Sequence, residues 1–386
     1  MPPLSQRTRL ISAATRRGQG RRPVNPPLER ASTMLSDTLG SMLDPASGPI
    51  YGLDGLGAAS ALKSALADLE GGDHAFLAPS GLAAVTIPLL ATLRPGDEVV
   101  ASDAVYGPSR RFITRYLGAR GVVGRFHTAD ASTETIVGML SPRTRVLLME
   151  SPASLTFEIA DAPALAHACR ERGVISVLDN TWAAGLAFRP LDHGVDVSLQ
   201  ALTKYASGHS DVLMGSVVVN DQALAGSIAG VIEDMGWHVS PDDAWLALRG
   251  LRTLPLRYAE QARSALVVAE WLQQRPETAN VLYPPLPGSA SHERWRRDFI
   301  GAASLMGVVL KRDPAFAERL LDALTLFGLG YSWGGFESLA TFESPQLAFR
   351  RHPPELPGAL IRLHVGLEDP ADLIADLDQA FARAAG

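Results

Sequence analysis

The chain has 386 residues, of which 46% are hydrophobic and 20% charged, so it can bury a large core and is not a disordered chain. Its formal net charge is −6 and no stripe of Lys and Arg alternates with aromatic residues, which argues against a nucleic-acid-binding protein. The one cysteine, Cys169, excludes an internal disulfide framework and a cysteine-rich zinc site, and it suits a cytoplasmic location. No apolar run reaches the roughly 18 residues of a membrane span, and we expect no bound metal.

Residues 1–54 show no sustained hydrophobic period and contain many Pro, Gly and Ser residues. We interpret them as an extended arm that has little core of its own and contacts a neighbouring subunit. The first 30 residues hold seven arginines and one acid, Glu29, a composition that is also typical of organelle-targeting peptides. A solvated or subunit-contacting arm is the preferred interpretation, and a targeting peptide is the alternative.

The next part of the chain alternates between two hydrophobic periods. Leu62, Leu66 and Leu69 predict a helix that ends at Gly71. Beyond it, short apolar strands are predicted at 75–79, 98–101, 122–127, 145–150, 174–178, 196–201 and 214–219. Helices are predicted between them, beginning near residues 81, 108, 133 and 163. This alternation predicts an α/β fold with a mostly parallel central sheet and helices on both faces.

A second, smaller unit follows. Residues 241–274 have a long helical pattern that we expect to break at Pro255. Strands at 305–310 and 360–365 and helices at 316–326 and 371–384 fit a smaller C-terminal α+β domain. We therefore predict a large domain over residues 55–250 and a C-terminal domain over 251–386, with the boundary inside the long helix.

The most informative segment lies around Lys204, which follows an apolar strand and is flanked by small and polar residues. A lysine beside Thr203 at a strand end, with Gly208 allowing close backbone approach, suits a Schiff-base lysine. A desolvated amine loses its charge more readily and becomes nucleophilic. A surface lysine at a strand end is the alternative when this segment is considered alone.

Two further strand ends carry polar groups. Asp179 follows the strand at 174–178, where α/β sheets place ligand-binding groups, and an acid there can pair with a protonated ring nitrogen. Ser80, Gly81 and Leu82 form a strand-to-helix turn whose amides and helix dipole can bind phosphate. An Asp-Asn turn and an ordinary N-cap are the alternatives. The order of phosphate turn, aspartate and lysine resembles that of fold-type I pyridoxal-phosphate enzymes.

The resemblance extends over nearly the whole chain. The sequence resembles the Cys/Met-metabolism family of these enzymes, and within it most closely the bacterial cystathionine β-lyases. The matching segments are LEGG (69–72), ESP (150–152), LDNTWAAG (178–185), TKY (203–205), GHSD (208–211), RGLRTL (249–254), YSWGGFESL (331–339) and IRLHVGLED (361–369).

The resemblance implies roles for the cofactor-binding residues. Lys204 would bind pyridoxal 5′-phosphate covalently, and Asp179 would keep its ring nitrogen protonated. Tyr106 would stack on the ring, and Ser80, Gly81, Leu82 and Thr203 would hold the phosphate. Tyr51 would reach the phosphate of a neighbouring subunit and, with Lys204 and Tyr106, belong to the catalytic set.

The resemblance also implies a substrate site. Arg362 would bind the substrate α-carboxylate with Ser332 close by, and Trp333 would limit how the substrate chain turns. The implied activity is a carbon–sulfur lyase of methionine biosynthesis, which cleaves the Cβ–S bond of L-cystathionine or a related cysteine S-conjugate. The implied assembly is a homo-oligomer, a tetramer built from dimers.

One position departs from the family pattern. The family has Tyr-x-Arg where this chain has Tyr51-Gly-Leu53, so the arginine expected to bind the neighbouring subunit's phosphate is absent. Arg110 or Arg111 is a candidate to compensate for it. Another reaction of the family, such as γ-elimination or γ-replacement, is the nearest alternative function. A catalytically weak pyridoxal-phosphate-binding scaffold is an alternative of a different class, although Lys204, Asp179 and Arg362 argue against it.

Overall fold

A seven-stranded sheet forms the centre of the larger part of the chain in the computed structural model, which describes residues 4–12, 21 and 23–386. Its strand order is β1-β7-β6-β5-β4-β2-β3. The strands are β1 (His74–Ala78), β2 (Glu98–Ser102), β3 (Val123–His127), β4 (Thr144–Glu150), β5 (Ile175–Asp179), β6 (Val197–Gln200) and β7 (Gly215–Val219). β2 to β6 run parallel, and β7 is antiparallel to both β1 and β6. The predicted fold class is confirmed.

Helices cover both faces of this sheet because the strands are apolar on both sides. In β4, Leu147 and Met149 join one core cluster, whereas Val146 and Leu148 join the other. The helices of this part are α3 (Gly57–Glu70), α4 (Gly81–Thr92), α5 (Gly107–Arg111), α6 (Thr133–Gly138), α7 (Ala162–Glu171) and α8 (Gln222–Asp234). Short 3₁₀ or π-helical segments lie at Pro45–Ser47, Gly52–Asp54, Phe112–Leu117, Gly118–Arg120 and Pro190–His193.

The C-terminal part contains a second sheet of five strands in the order β10-β11-β12-β9-β8. Its strands are β8 (Thr278–Leu282), β9 (Leu305–Leu310), β10 (Gly328–Leu329), β11 (Leu339–Phe342) and β12 (Leu360–His364). Its helices are α9 (Pro241–Gln273), α10 (His292–Asp298), α11 (Pro314–Asp322), α12 (Ser344–Leu347) and α13 (Pro370–Ala385). The separate sheets support the proposed division into residues 55–250 and 251–386.

Two of the longer helices differ from the sequence-based expectation. α9 continues through Pro255, because this proline removes only one backbone donor while one face of the helix stays buried along its length. α8 was not predicted, although Asp221 caps its first turn and its apolar residues pack against α4. Tertiary packing therefore determines the presence of α8 and the continuity of α9 more than local helix propensity does.

The N-terminal arm is also more ordered than an extended segment. α1 (Gln6–Ser12) packs against α3 and α9 of the same chain, and its Leu10 is only 1% exposed. Gln6 donates to the carbonyl oxygens of Leu69 and Gly185 at 3.2 and 3.0 Å. A second short helix, α2 (Leu39–Leu43), has no buried residue. The arm is thus anchored to its own chain at α1, while its later part is exposed.

Arg257 on α9 fixes the backbone that follows Lys204. Its guanidinium is buried and donates to the carbonyl oxygens of Tyr205, Ala206 and Gly250, at 3.0, 3.4 and 2.9 Å. Burial lowers the pKa of Arg257 to about 10. One side chain therefore satisfies three carbonyl groups that are otherwise remote from solvent.

We predict that Arg257→Met lowers the free energy of unfolding by about 3 kcal/mol, because buried carbonyl groups lose their donor. Chemical denaturation of the apo-protein measures this change. Arg263→Met is the matched control, since Arg263 lies on the same helix but is exposed and pairs with Glu260. Equal stabilities of the two variants would contradict the assigned role of Arg257.

Candidate active site

A cavity of about 990 Å³ lies at the carboxyl ends of β4, β5 and β6, which is where open α/β sheets bind ligands. Residues of the C-terminal sheet and its loops line the opposite side. The cavity brings together these predicted site residues: Ser80, Gly81, Leu82, Tyr106, Asp179, Thr203, Lys204, Ser332, Trp333 and Arg362. Tyr51 does not line it; it is 53% exposed and its backbone forms a bridge with Thr33.

Lys204 projects its amine into this cavity. Its Nζ donates to the hydroxyl of Ser332 at 2.8 Å and lies 5.3 Å from the centre of the Trp333 ring. Burial and the nearby charge of Arg362 lower the pKa of Lys204 to about 8, while Asp179 opposes the shift. The amine therefore loses its proton close to neutral pH and can act as a nucleophile or a base.

The turn that carries Ser332 packs directly on the lysine backbone. Gly334 has φ of 85°, and a Cβ atom there would lie 2.7 Å from the backbone nitrogen of Tyr205. The backbone N–H of Gly334 donates to Nε2 of His364 at 3.0 Å. Ser332 itself has φ of 123°, a conformation rarely adopted by residues other than glycine. The turn is thus held in a strained conformation by its contacts with two other segments.

Asp179 is the last residue of β5. Its carboxylate accepts hydrogen bonds from the backbone N–H and the hydroxyl of Thr181, at 3.0 and 2.5 Å. Burial raises the pKa of Asp179, whereas the two Thr181 hydrogen bonds and the charge of Lys204 oppose the rise. These donors orient the carboxylate and favour its ionised form.

Glu150 is a cavity residue to which the sequence analysis gave no role. It ends β4, is paired in register with Asp179, and accepts the backbone N–H of Tyr106 at 2.6 Å. The signal that identifies it is the one that identified Asp179, an acid at the end of an apolar strand. Burial, followed by the charge of Asp179, raises the pKa of Glu150 well above its usual value.

The turn at Ser80 to Leu82, which we predict to hold the phosphate, begins a helix as expected. The Ser80 hydroxyl caps α4 by accepting the N–H of Ala83 at 3.1 Å, and Gly81 and Leu82 form the first helical turn. A Cβ atom on Gly81 would lie 2.5 Å from the Cβ of Ala201, so only glycine fits this approach. The Thr203 hydroxyl donates to the carbonyl oxygen of Met214 and accepts its N–H, so it also ties the lysine loop to β7.

Arginine side chains supply positive charge to the cavity. Arg362 on β12 lies 3.3 Å from the buried Glu343 and donates to the carbonyl oxygen of Ser332 at 3.4 Å. Burial lowers the pKa of Arg362. Arg110 also lines the cavity but is engaged with Asp103, to which it lies at 3.8 Å, whereas Arg111 is exposed at the cavity wall.

Comparison with known proteins decides the family. The profile described as "Cys/Met metabolism PLP-dependent enzyme" matches residues 7–382. The chain belongs to this family. It is 43% identical over 374 residues to "Cystathionine beta-lyase" of Bordetella avium, covering 95% of this chain and 94% of that one. It is 40% identical to "Cystathionine beta-lyase MetC" of Escherichia coli (strain K12), covering 97% and 98%.

A solved structure agrees with this family assignment. "Crystal structure of metB from Corynebacterium glutamicum" superposes with a TM-score of 0.93 at 29% identity, and 98% of each chain is covered. The predicted resemblance is confirmed, and so is the predicted cofactor, since the family is one of pyridoxal-phosphate-dependent enzymes. The donor set fits that cofactor: an amine of lowered pKa, a buried carboxylate and a glycine turn at a helix N-terminus line one cavity.

We predict that Gly81→Ala lowers the affinity for pyridoxal phosphate about 10-fold or more, because the added methyl group pushes the first turn of α4 away from Ala201. Equilibrium dialysis of the apo-protein with the cofactor measures the affinity. Gly138→Ala in α6 is the matched control, since a Cβ atom there meets nothing within 4 Å. Unchanged affinity in Gly81→Ala would show that this turn does not hold the phosphate.

Proposed function

We propose that this chain is a cystathionine β-lyase, which cleaves the Cβ–S bond of L-cystathionine or of a related cysteine S-conjugate. The products are homocysteine or another thiol, pyruvate and ammonia, with one water consumed. The observation that carries the proposal is the convergence of Lys204, Ser332 and the Trp333 ring in one cavity. The identity to relatives named cystathionine β-lyase supports it.

Arg362 positions the substrate in this proposal. Its guanidinium binds the substrate α-carboxylate, and Ser332 connects it to the base through two contacts. The Ser332 carbonyl oxygen accepts from Arg362 at 3.4 Å, and its hydroxyl accepts from Lys204 at 2.8 Å. A substrate held by Arg362 therefore presents its Cα proton on the side of the amine.

Lys204 performs the proton transfers. Pyridoxal phosphate, when bound, supplies an electron sink that stabilises negative charge at Cα. Asp179 would pair with the ring nitrogen of the bound cofactor and keep it protonated. The Lys204 amine removes the Cα proton and returns a proton to the departing sulfur. Its pKa of about 8 leaves it able both to accept and to donate a proton near neutral pH.

Trp333 favours cleavage at Cβ over Cγ. Its indole packs against Tyr205 with ring centres 5.5 Å apart, so it has little freedom to move away from the lysine. Cleavage at Cγ needs a second proton removal at Cβ, and therefore a different placement of the substrate relative to Lys204. A bulky wall at this point is worth about 1–3 kcal/mol of discrimination, so some cross-reaction is expected.

We predict that the purified holoenzyme releases mainly pyruvate from L-cystathionine, because sulfur leaves from Cβ. Mass spectrometry of the keto acid measures this, with Lys204→Ala as the inactive control. Mainly 2-oxobutyrate would contradict the β-lyase proposal and favour the γ-elimination alternative. Pyruvate from other cysteine conjugates but not from cystathionine would support cleavage of the Cβ–S bond but show that cystathionine is not the substrate. No keto acid from any conjugate would favour the scaffold alternative.

We further propose a cytoplasmic homo-oligomer, a tetramer built from dimers, in which Tyr51 completes the neighbouring subunit's site. The exposure of Tyr51 outside its own chain's cavity supports this role. So do the exposed apolar side chains of the same arm: Val24, Leu35, Leu39, Met42, Leu43 and Ile50. Within the described residues, no helix has the length and apolar character needed to cross a membrane.

We predict that hybrid oligomers of Tyr51→Phe and Lys204→Ala chains regain activity that neither parent has in full. One site of each hybrid dimer then contains both native residues, so about half of the wild-type rate is expected. Activity of isolated, differently tagged hybrids measures this, and hybrids of wild-type and Lys204→Ala chains give the reference value. If Tyr51 acts within its own chain, the first hybrid has one Tyr51→Phe site and one inactive site, so its activity stays at about half that of the Tyr51→Phe parent.

A further inference from the structure

Two acids face the cavity from neighbouring strands. Glu150 ends β4 and Asp179 ends β5, and the two residues are register partners in the parallel ladder. Register partners on neighbouring strands lie about 5 Å apart and point to the same side of the sheet. In the proposed mechanism Asp179 pairs with the ring nitrogen of the cofactor, whereas Glu150 has no role.

The groups around Glu150 do not neutralise it as a carboxylate. Arg350 and Arg110 are the nearby cations, and both bind elsewhere: Arg350 to Thr156 and Ser154, and Arg110 to Asp103. Among the described residues, no ion pair within 4 Å joins Glu150 to a cation. Within the part of the chain that the structure describes, the side chain of Glu150 accepts one hydrogen bond, from the backbone N–H of Tyr106.

That hydrogen bond connects Glu150 to the cavity wall. Tyr106 is the N-cap residue of α5, and its own side chain makes no capping hydrogen bond. The Glu150 oxygen therefore fixes the backbone from which the Tyr106 ring extends along the cavity. A neutral carboxylic acid retains a carbonyl oxygen for this hydrogen bond, so the contact does not require a charge.

We propose that Glu150 is a positioning residue that acts as a neutral carboxylic acid: its oxygen holds the backbone of Tyr106, and its proton leaves Asp179 as the single carboxylate for the ring nitrogen. Two carboxylates side by side at a partly desolvated site repel each other, so one of them retains its proton. Thr181 donates twice to Asp179, and Lys204 lies nearby, so Asp179 is the ionised member. Glu150 is then the protonated one. This role concerns cofactor binding and is independent of the sulfur substrate.

Cofactor affinity of the apo-protein tests the proposal. Glu150→Gln keeps a neutral side chain and an oxygen acceptor, so its affinity for pyridoxal phosphate should stay within about 3-fold of wild type. Glu150→Leu loses the acceptor, and its affinity should fall about 10-fold, the effect of one lost hydrogen bond of roughly 1.4 kcal/mol. Equilibrium dialysis measures both. A loss in Glu150→Gln equal to that in Glu150→Leu would overturn the proposal.

Thermal unfolding of the apo-protein gives a second readout that does not depend on the cofactor. Because the pKa of folded Glu150 is raised, its contribution to stability is full below the pKa of the unfolded chain and is lost as pH rises towards the folded value. Glutamine does not titrate. The Tm of Glu150→Gln should therefore rise relative to wild type as the pH increases from 5 to 8.

The matched control is Glu233→Gln, at an exposed position near the end of α8, whose Tm difference from wild type should not depend on pH in this way. Asp179, Arg110, Arg350 and Lys204 are present in every variant, so the titration of Lys204, whose pKa is lowered to about 8, is common to all of them. A Tm difference for Glu150→Gln that stays constant, or that falls as pH rises, would show that Glu150 is ionised in the folded protein and would overturn the proposal.

Discussion

The contact between the turn at 332–335 and the backbone of Lys204 is the constraint on which the site depends. The lysine comes from the seven-stranded sheet and the turn from the C-terminal part, so this contact brings the two parts of the site together. Gly334 permits the approach, and His364 holds the turn from β12. Arg362 lies two residues before His364 on the same strand, so one strand positions both the turn and the guanidinium that we propose binds the substrate carboxylate.

A second layer of buried polar groups supports the other side of the site. Glu70, at the end of α3, accepts hydrogen bonds from Asn180, Ser198 and Gln200. Burial raises the pKa of Glu70 to about 7, and the three donors oppose that rise. Since Asn180 directly follows Asp179, this hydrogen-bond network fixes the end of β5. Arg257 fixes the segment after Lys204 through its hydrogen bonds to the carbonyl groups of Tyr205 and Ala206. The two strand ends that carry Asp179 and Lys204 are therefore both supported by buried hydrogen-bonded groups.

The sequence predicted the parts of this structure that follow from local patterns. All seven strands of the large sheet were found within one or two residues, because apolar runs with turn residues at their ends are a strong signal. Ser80, Asp179 and Lys204 were found because they lie at those strand ends. In the C-terminal sheet β8, β10 and β11 were not predicted, since they are set by pairing with other segments and β10 and β11 are also short.

The features that the sequence analysis did not predict, the pairing of Glu150 and the strain at Ser332, share a physical reason. Nothing local distinguishes Glu150 from any other strand-terminal acid; its interest arises from register pairing with Asp179, which is a property of the sheet. The strain at Ser332 likewise depends on contacts with Lys204, 128 residues away, and with Arg362 on β12, 30 residues away. Long-range pairing and charge coupling of this kind cannot be inferred from hydrophobic periodicity.

The cavity has the opposite charge from the chain as a whole. The chain has a formal net charge of −6, but the cavity lining contains five basic side chains and two acidic ones. The basic residues are Lys204, Arg110, Arg111, Arg351 and Arg362. If Glu150 is neutral, Asp179 is the only negative charge among these lining residues. Such a field attracts a phosphate group. The positive charge of the cavity is therefore determined by the fold, because arginines from α5, β12 and the segment after α12 lie around Lys204.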